Sequence, residues 1–185
     1  MIEPRSLTPD VQLRIATFDD ASALADAQNR SREHLRPWDP ARADKWFTAA
    51  GQAERVASQL ERYKNGQVVP WVLADGDRVV GQITLSDLVP GPFRSASLGY
   101  WLAVDALARG LATRAVEAVA EIADSELKLH RIEASTLTGN IASQRVLIRT
   151  GFQQIGTAPT YLHIDGYWQD CNLYQRILND REPGA

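Results

Sequence analysis

At 185 residues the chain has the length of one medium domain, and a composition that is 44% hydrophobic and 23% charged suits an ordinary globular fold with a real core. A net charge of −3 gives no general attraction to nucleic acid, a lone cysteine (Cys171) excludes an internal disulfide, and no apolar run nears the roughly 18 residues that span a bilayer. The amino terminus (Met1-Ile2-Glu3-Pro4-Arg5) lacks the basic-then-apolar order of a signal peptide, so a cytoplasmic domain with no direct nucleic-acid or membrane partner is expected.

Residues 11–15 alternate apolar and polar and are predicted as a strand. Asp19-Asp20 open a helical pattern running to Leu35, where Pro37 and Pro40 break it and enclose Trp38. A second helix is predicted over 52–64, with Val56, Leu60 and Tyr63 on one face and Asn65-Gly66 at its end. Residues 68–74 and 79–85 are β-rich, joined by the hairpin signal Asp75-Gly76-Asp77. A Pro90-Gly91-Pro92 loop leads to a strand over 97–102. The segment 107–113 follows, then a helix whose apolar stripe is Ala112, Val116, Val119, Ile122, Ala123 and Leu127. Residues 131–136 are predicted as a strand and 141–149 as a short helix after Asn140, ended by Gly151. Segments 152–158, 161–164 and 167–177, the last two around Asp165-Gly166, complete the β content. The order is β-α-α-β-β-β-α-β-α-β-β, a mixed α/β sheet.

Two helix starts carry the chemical signal. Leu107-Ala108-Arg109-Gly110-Leu111-Ala112-Thr113 stands between a strand and a long helix, so its backbone N–H groups lack intrahelical partners and suit a phosphate. Gly110 permits close approach and Arg109 adds positive charge; the plain alternative is a helix start with small residues for packing. No lysine-serine pair follows the glycine and it has no neighbouring glycines, which disfavours nucleotide-triphosphate and dinucleotide loops. Asn140 suits an N-cap, and Ser143 then lies in the first turn with its hydroxyl towards a cleft.

Together these blocks resemble the Gcn5-related N-acetyltransferase (GNAT) superfamily. Residues 107–113 resemble its acetyl-CoA pyrophosphate loop, Gln/Arg-x-x-Gly-x-Gly/Ala, with Gly110 and Ala112 matching and Leu107 departing. Asn140-x-x-Ser143 with Gly151-Phe152 is similar to the next block of that family. Glu33-His34-Leu35-Arg36-Pro37-Trp38, Gly99-Tyr100-Trp101-Leu102 and Ile164-Asp165-Gly166-Tyr167-Trp168-Gln169-Asp170 resemble its RimJ/RimL-type branch, which acetylates amino-terminal amines of ribosomal proteins.

The resemblance implies a single-domain α/β (α+β) GNAT fold over 11–178, with an extension (1–10) and a tail (179–185). It implies a mostly antiparallel central sheet flanked by helices, whose fourth and fifth strands (97–102 and 131–136) splay apart. It further implies direct attack of a neutral amine on the thioester of acetyl-CoA, without a metal. The acceptor would be a peptide or protein amino terminus, ribosomal by resemblance; the alternatives are a small amine such as an antibiotic or polyamine, or a CoA-binding module with little turnover. The cofactor would contact Leu102, Ala103, Val104, Arg109, Gly110, Leu111, Ala112, Thr113, Asn140 and Ser143. A backbone N–H at Leu102 or Ala103 would hold the oxyanion. Leu147 stands where many members carry an acidic tyrosine, so Ser143 is the expected proton donor to the thiolate. Trp38, His34, Asp87 and Tyr100 are the candidate acceptor residues. No general base is legible, with Asp87 and Glu133 the candidate proton acceptors or substrate anchors; Cys171 reads as a buried hydrophobe. A monomer or homodimer is expected.

Overall fold

The computed structural model describes residues 2–182; of the expected tail, 183–185 lie outside the described residues. Eight strands form one sheet: β1 (Arg5–Ser6), β2 (Val11–Ile15), β3 (Val68–Asp75), β4 (Arg78–Val89), β5 (Ser95–Leu102), β6 (Arg131–Leu137), β7 (Gln153–Ile164) and β8 (Tyr167–Ile177). Four α-helices pack on it: α1 (Ala21–Leu35), α2 (Ala49–Lys64), α3 (Leu111–Ser125) and α4 (Ile141–Arg149). The spatial order is β1-β2-β3-β4-β5-β6-β8-β7. Every neighbouring pair is antiparallel except β5–β6.

Differences from the predicted elements have local causes. Arg5–Ser6, expected as part of an extension, pairs with β2. Helix α2 begins at Ala49 rather than Gln52 because Thr48 caps it, its hydroxyl accepting the Gly51 N–H at 3.1 Å. β4 runs on to Val89 through a bulge in which Asp87 has φ 52°. β7 is continuous across Pro159, with an irregular register between Ala158 and Leu162.

β3 is buried on both faces, which explains its unbroken apolar run. Leu24 of α1 and Val56 of α2 pack on Val72 and Val79 on one side of the sheet. On the other, Leu111, Val116, Val119 and Ile122 of α3 are essentially fully buried against Ile83, Leu85, Leu98 and Ile132. Each such side chain contributes about 1.5–3 kcal/mol of burial. At the foot of β5 the Arg94 guanidinium donates to the carbonyls of Lys128, Arg181 and Glu182, tying the carboxy-terminal segment to the sheet.

The site is created by the junction of β5 and β6. Their parallel pairing covers only Ser95–Arg131, Ala96–Ile132 and Ser97–Glu133. Beyond it the two strands part, and the N-termini of α3 and α4 stand beside the opening.

Candidate active site

The parted strands open a cavity of about 1110 Å³ that reaches both faces of the sheet. From the α3/α4 side it is lined by Leu107, Gly110 to Thr113, and Gly139 to Ser143; from the α1/α2 side by His34, Trp38, Trp46, Arg55 and Gln82.

Strand register decides which backbone groups face the gap. The Ala103 N–H donates to the Val80 carbonyl at 2.9 Å, and the cross-strand pairs are Gln82–Trp101 and Gly81–Leu102. Antiparallel pairs alternate between bonded and non-bonded, so the N–H groups of Tyr100 and Leu102 turn away from β4 towards the gap. Gly81 makes this close approach possible: a Cβ there would lie 2.6 Å from Leu102 Cδ2 and 2.7 Å from the Trp101 carbonyl oxygen.

Ala103, the alternative oxyanion donor, and Val104, expected only as a cofactor contact, both have their N–H groups engaged within the protein. Ala103 is fully buried with its N–H on Val80, and the Val104 N–H donates to Ser31 Oγ at 3.0 Å. Of the three, Leu102 alone directs its donor into the gap.

The loop before α3 supplies further donors. Gly110 takes the left-handed conformation (φ 72°, ψ 8°) and Ala108 also has positive φ (60°). Among the described residues, no N–H from 108 to 113 meets a protein acceptor; the intrahelical ladder starts with Arg114 N–H to the Gly110 carbonyl. The Arg109 guanidinium departs from expectation: it turns to Asp75 on β3 (3.6 Å) and does not line the cavity.

Across the gap, Asn140 caps α4, its Oδ1 accepting the Ser143 N–H at 3.1 Å. Ser143 Oγ lies 2.8 Å from the Tyr100 hydroxyl. Tyr100, a candidate acceptor contact, lines the cavity, and its hydroxyl meets the serine of α4. Burial pushes its phenol up to about 12, although the hydrogen bond to Ser143 opposes the shift. Tyr100 therefore keeps its proton at neutral pH.

His34 and Trp38 line the mouth of the cavity, Trp38 being 39% exposed. Asp87 does not: the bulge leaves it exposed and outside the cavity, accepting from Ser86 Oγ. Glu133 pairs with Arg131 at 2.8 Å. Trp168 is 64% exposed with His163 edge-on to it. Cys171 is buried, and burial raises its thiol, so it is protonated and inert.

Sequence reading missed Arg55, Gln82 and Trp46. The signal was present: Gln52, Arg55 and Gln59 interrupt the inward stripe of α2 at helical spacing, beside Val56 and Leu60.

An acetyltransferase (GNAT) domain model matches residues 10–153. The chain belongs to the GNAT acetyltransferase family. It is 32% identical over 174 residues to the probable N-acetyltransferase YjcK of Bacillus subtilis (93% of this chain, 96% of that one). It is 31% identical over 182 residues to the [ribosomal protein uS5]-alanine N-acetyltransferase of Escherichia coli (97% and 94%). Among solved structures, the ribosomal-protein-S5-alanine acetyltransferase of Vibrio fischeri superposes with a TM-score of 0.93 at 30% identity, covering 98% of this chain and all of that one (100%). Mycobacterium smegmatis RimJ, solved in complex with CoA-disulfide, gives 0.87 at 29% identity (90% and 81%). The GNAT fold and the RimJ/RimL likeness anticipated from the sequence thus hold.

Proposed function

We propose that this acetyltransferase moves the acetyl group of acetyl-CoA to a primary amine, and that the acceptor is the amino terminus of a protein, of the ribosomal-protein type. The observation that carries the reading is the Leu102 N–H, directed into the gap between the parted strands, in a cavity that the Tyr100–Ser143 pair also lines. The residues present fit the cosubstrate. The unpartnered N–H groups of 108–113 and the dipole of α3 suit its pyrophosphate, and the gap edge of β5 suits the amides of its pantetheine arm.

In this reading Leu102 donates to the developing oxyanion from a rigid strand, with no reorganisation during reaction. Ser143 passes its proton to the departing thiolate while the surplus proton of the newly acylated nitrogen replaces it, and Tyr100, which keeps its own proton, donates a hydrogen bond to Ser143 Oγ throughout. Asp39 is the one carboxylate lining the cavity among the described residues, and Arg42 holds it through two hydrogen bonds of 3.0 and 3.2 Å. The amine accordingly enters neutral without a protein base, which suits an amino-terminal amine of pKa near 8. The lining, with Arg42, Arg55 and Arg149 against that single acid, is unsuited to polycationic acceptors. The likeness to relatives named for ribosomal-protein alanine acetylation supports the acceptor class.

Thiol release from acetyl-CoA, followed against amino-terminal peptides, polyamines and aminoglycosides, tests the proposal. Turnover with peptides and little with polycations is expected. Tight acetyl-CoA binding with no turnover on any acceptor would overturn it in favour of a binding module.

A further inference from the structure

The acceptor side of the cavity holds a guanidinium without a counter-ion. Arg55 projects from α2 onto the sheet, where Nη2 donates to Gln82 Oε1 and Nη1 to Gln52 Oε1 (3.2 Å), both neutral amide oxygens. Among the described residues no carboxylate lies within salt-bridge distance of it, and the nearby Asp39 is committed to Arg42. Trp46 receives both cations on its ring, Arg42 at 4.1 Å and Arg55 at 4.9 Å. The Trp46 Nε1 donor is itself buried with no acceptor. Burial and the charge of Arg42 pull the Arg55 guanidinium down to about 10, with Asp39 opposing. A partly desolvated cation surrounded by donors and neutral amides lacks an anion to complete it.

We infer that Arg55, positioned by Gln82, Gln52 and Trp46, is a specificity site for a carboxylate carried by the acceptor close to its reacting amine. The inference rests on the acetyl-transfer reading above. Placement supports it. Gln82 lies directly across β4–β5 from Trp101, one residue from Leu102, on the sheet face turned to α1 and α2. An extended acceptor whose amine reaches the gap at Leu102 therefore lays its next atoms over Trp101 and Gln82, at roughly 3.5 Å per residue. A planar guanidinium fork matches a carboxylate. The carboxylate has two sources of the same chemistry: the α-carboxylate of a free amino acid, or an acidic side chain at the second position of a peptide.

The test compares matched C-amidated peptides differing only as Asp or Asn at position 2, and free L-alanine against L-alaninamide, by thiol release from acetyl-CoA. In the wild type the carboxylate member of at least one pair is expected to have the higher kcat/KM, by about ten- to hundredfold. The pair that responds names the source. In Arg55→Gln that ratio falls to near one, whatever the absolute rate, and Arg55→Lys keeps part of it. CoA affinity by calorimetry stays at the wild-type value in both variants and certifies the fold. A wild-type ratio near one, or a ratio that survives in Arg55→Gln, overturns the inference while leaving acetyl transfer standing. If no acceptor releases thiol although CoA binds, the acetyl-transfer reading fails. Calorimetric titration of the same pairs into the CoA-loaded protein then decides: carboxylate-selective binding lost in Arg55→Gln supports the site, and equal or absent binding overturns it.

Discussion

Replacing Ser143 by alanine isolates the proposed proton donor from the architecture around it. The N-cap of α4 survives, because Asn140 Oδ1 accepts from the Ser143 backbone N–H, which alanine retains. What disappears is the 2.8 Å contact with the Tyr100 hydroxyl and the proton offered to sulfur. A neutral side-chain hydrogen bond contributes about 0.5–1.5 kcal/mol, and Tyr100 keeps a second acceptor in the Ser143 carbonyl at 3.3 Å, so the stability loss sits at the low end of that range. A hydrogen bond to a charged partner is stronger, about 1.5–3 kcal/mol, and this one forms fully only as the thiolate departs. The expected kcat therefore falls by about 10- to 150-fold, with little change in KM for acetyl-CoA. Single-turnover thiol release under saturating acetyl-CoA and peptide reads the chemical step, and calorimetry with CoA checks binding. Tyr100→Phe should lose a smaller factor, and the double variant little more than Ser143→Ala alone, because both act on one proton. An unchanged single-turnover rate in Ser143→Ala would falsify the role. A CoA affinity weakened as much as the rate would reassign the serine to cofactor binding.

Gly81→Ala should push Leu102 off its register, destabilising the protein by about 1–3 kcal/mol in thermal melts and lowering kcat by at least about tenfold; normal turnover would remove Leu102 as the oxyanion donor. Arg109→Ala should leave acetyl-CoA affinity within about twofold, since its guanidinium is engaged with Asp75; a larger loss would show that it swings into the site. For Asp20, burial is the largest single influence and pushes the carboxyl up, but hydrogen bonds from Arg14 and Thr17 together with the Arg14 charge outweigh it and hold it below the usual range. Its stabilisation is thus complete above the unfolded value near 3.9 and is lost as pH falls through the lower folded value. Asp20→Asn should cost about 1–3 kcal/mol at neutral pH and flatten that acid limb in denaturant titrations; an unaltered limb would contradict it. Finally, kcat/KM for peptide acceptors should rise with pH and level near the amine pKa of about 8; a profile flat across that range would contradict attack by the neutral amine.

What could be read from the chain was whatever is decided locally or carried by the family resemblance. Asn140 reads as a cap because the residue type and the apolar pattern after it suffice, and Ser143 follows from that placement by helical spacing. The parting of strands 97–102 and 131–136 came from likeness rather than from pattern, since nothing in either strand announces where its pairing stops. Long-range register was beyond reach. Whether Leu102, Ala103 or Val104 has a free N–H depends on Val80 and Ser31, residues distant in sequence, and only the pairing with β4 settles it. Charged side chains behaved likewise: Arg109 is flexible enough to choose Asp75 over the loop it belongs to. Arg55 escaped notice because a polar residue on an inward stripe reads as a boundary residue until its neighbours Gln52, Gln82 and Trp46 are assembled around it.

The three-pair seam between β5 and β6 also bears on how the protein tolerates its own sheet. Past that seam the molecule carries two raw strand borders in its middle, the kind of surface on which proteins add foreign strands and aggregate. They are sheltered by the walls of a narrow cleft instead of by charge or proline. On the acetyl-transfer reading proposed above, an acyl carrier whose amides alternate with methylenes would complete the β5 border much as a peptide completes a sheet. Resistance to heat and to proteolysis should therefore track the supply of that carrier in a cell, coupling the enzyme's abundance to the metabolite it consumes.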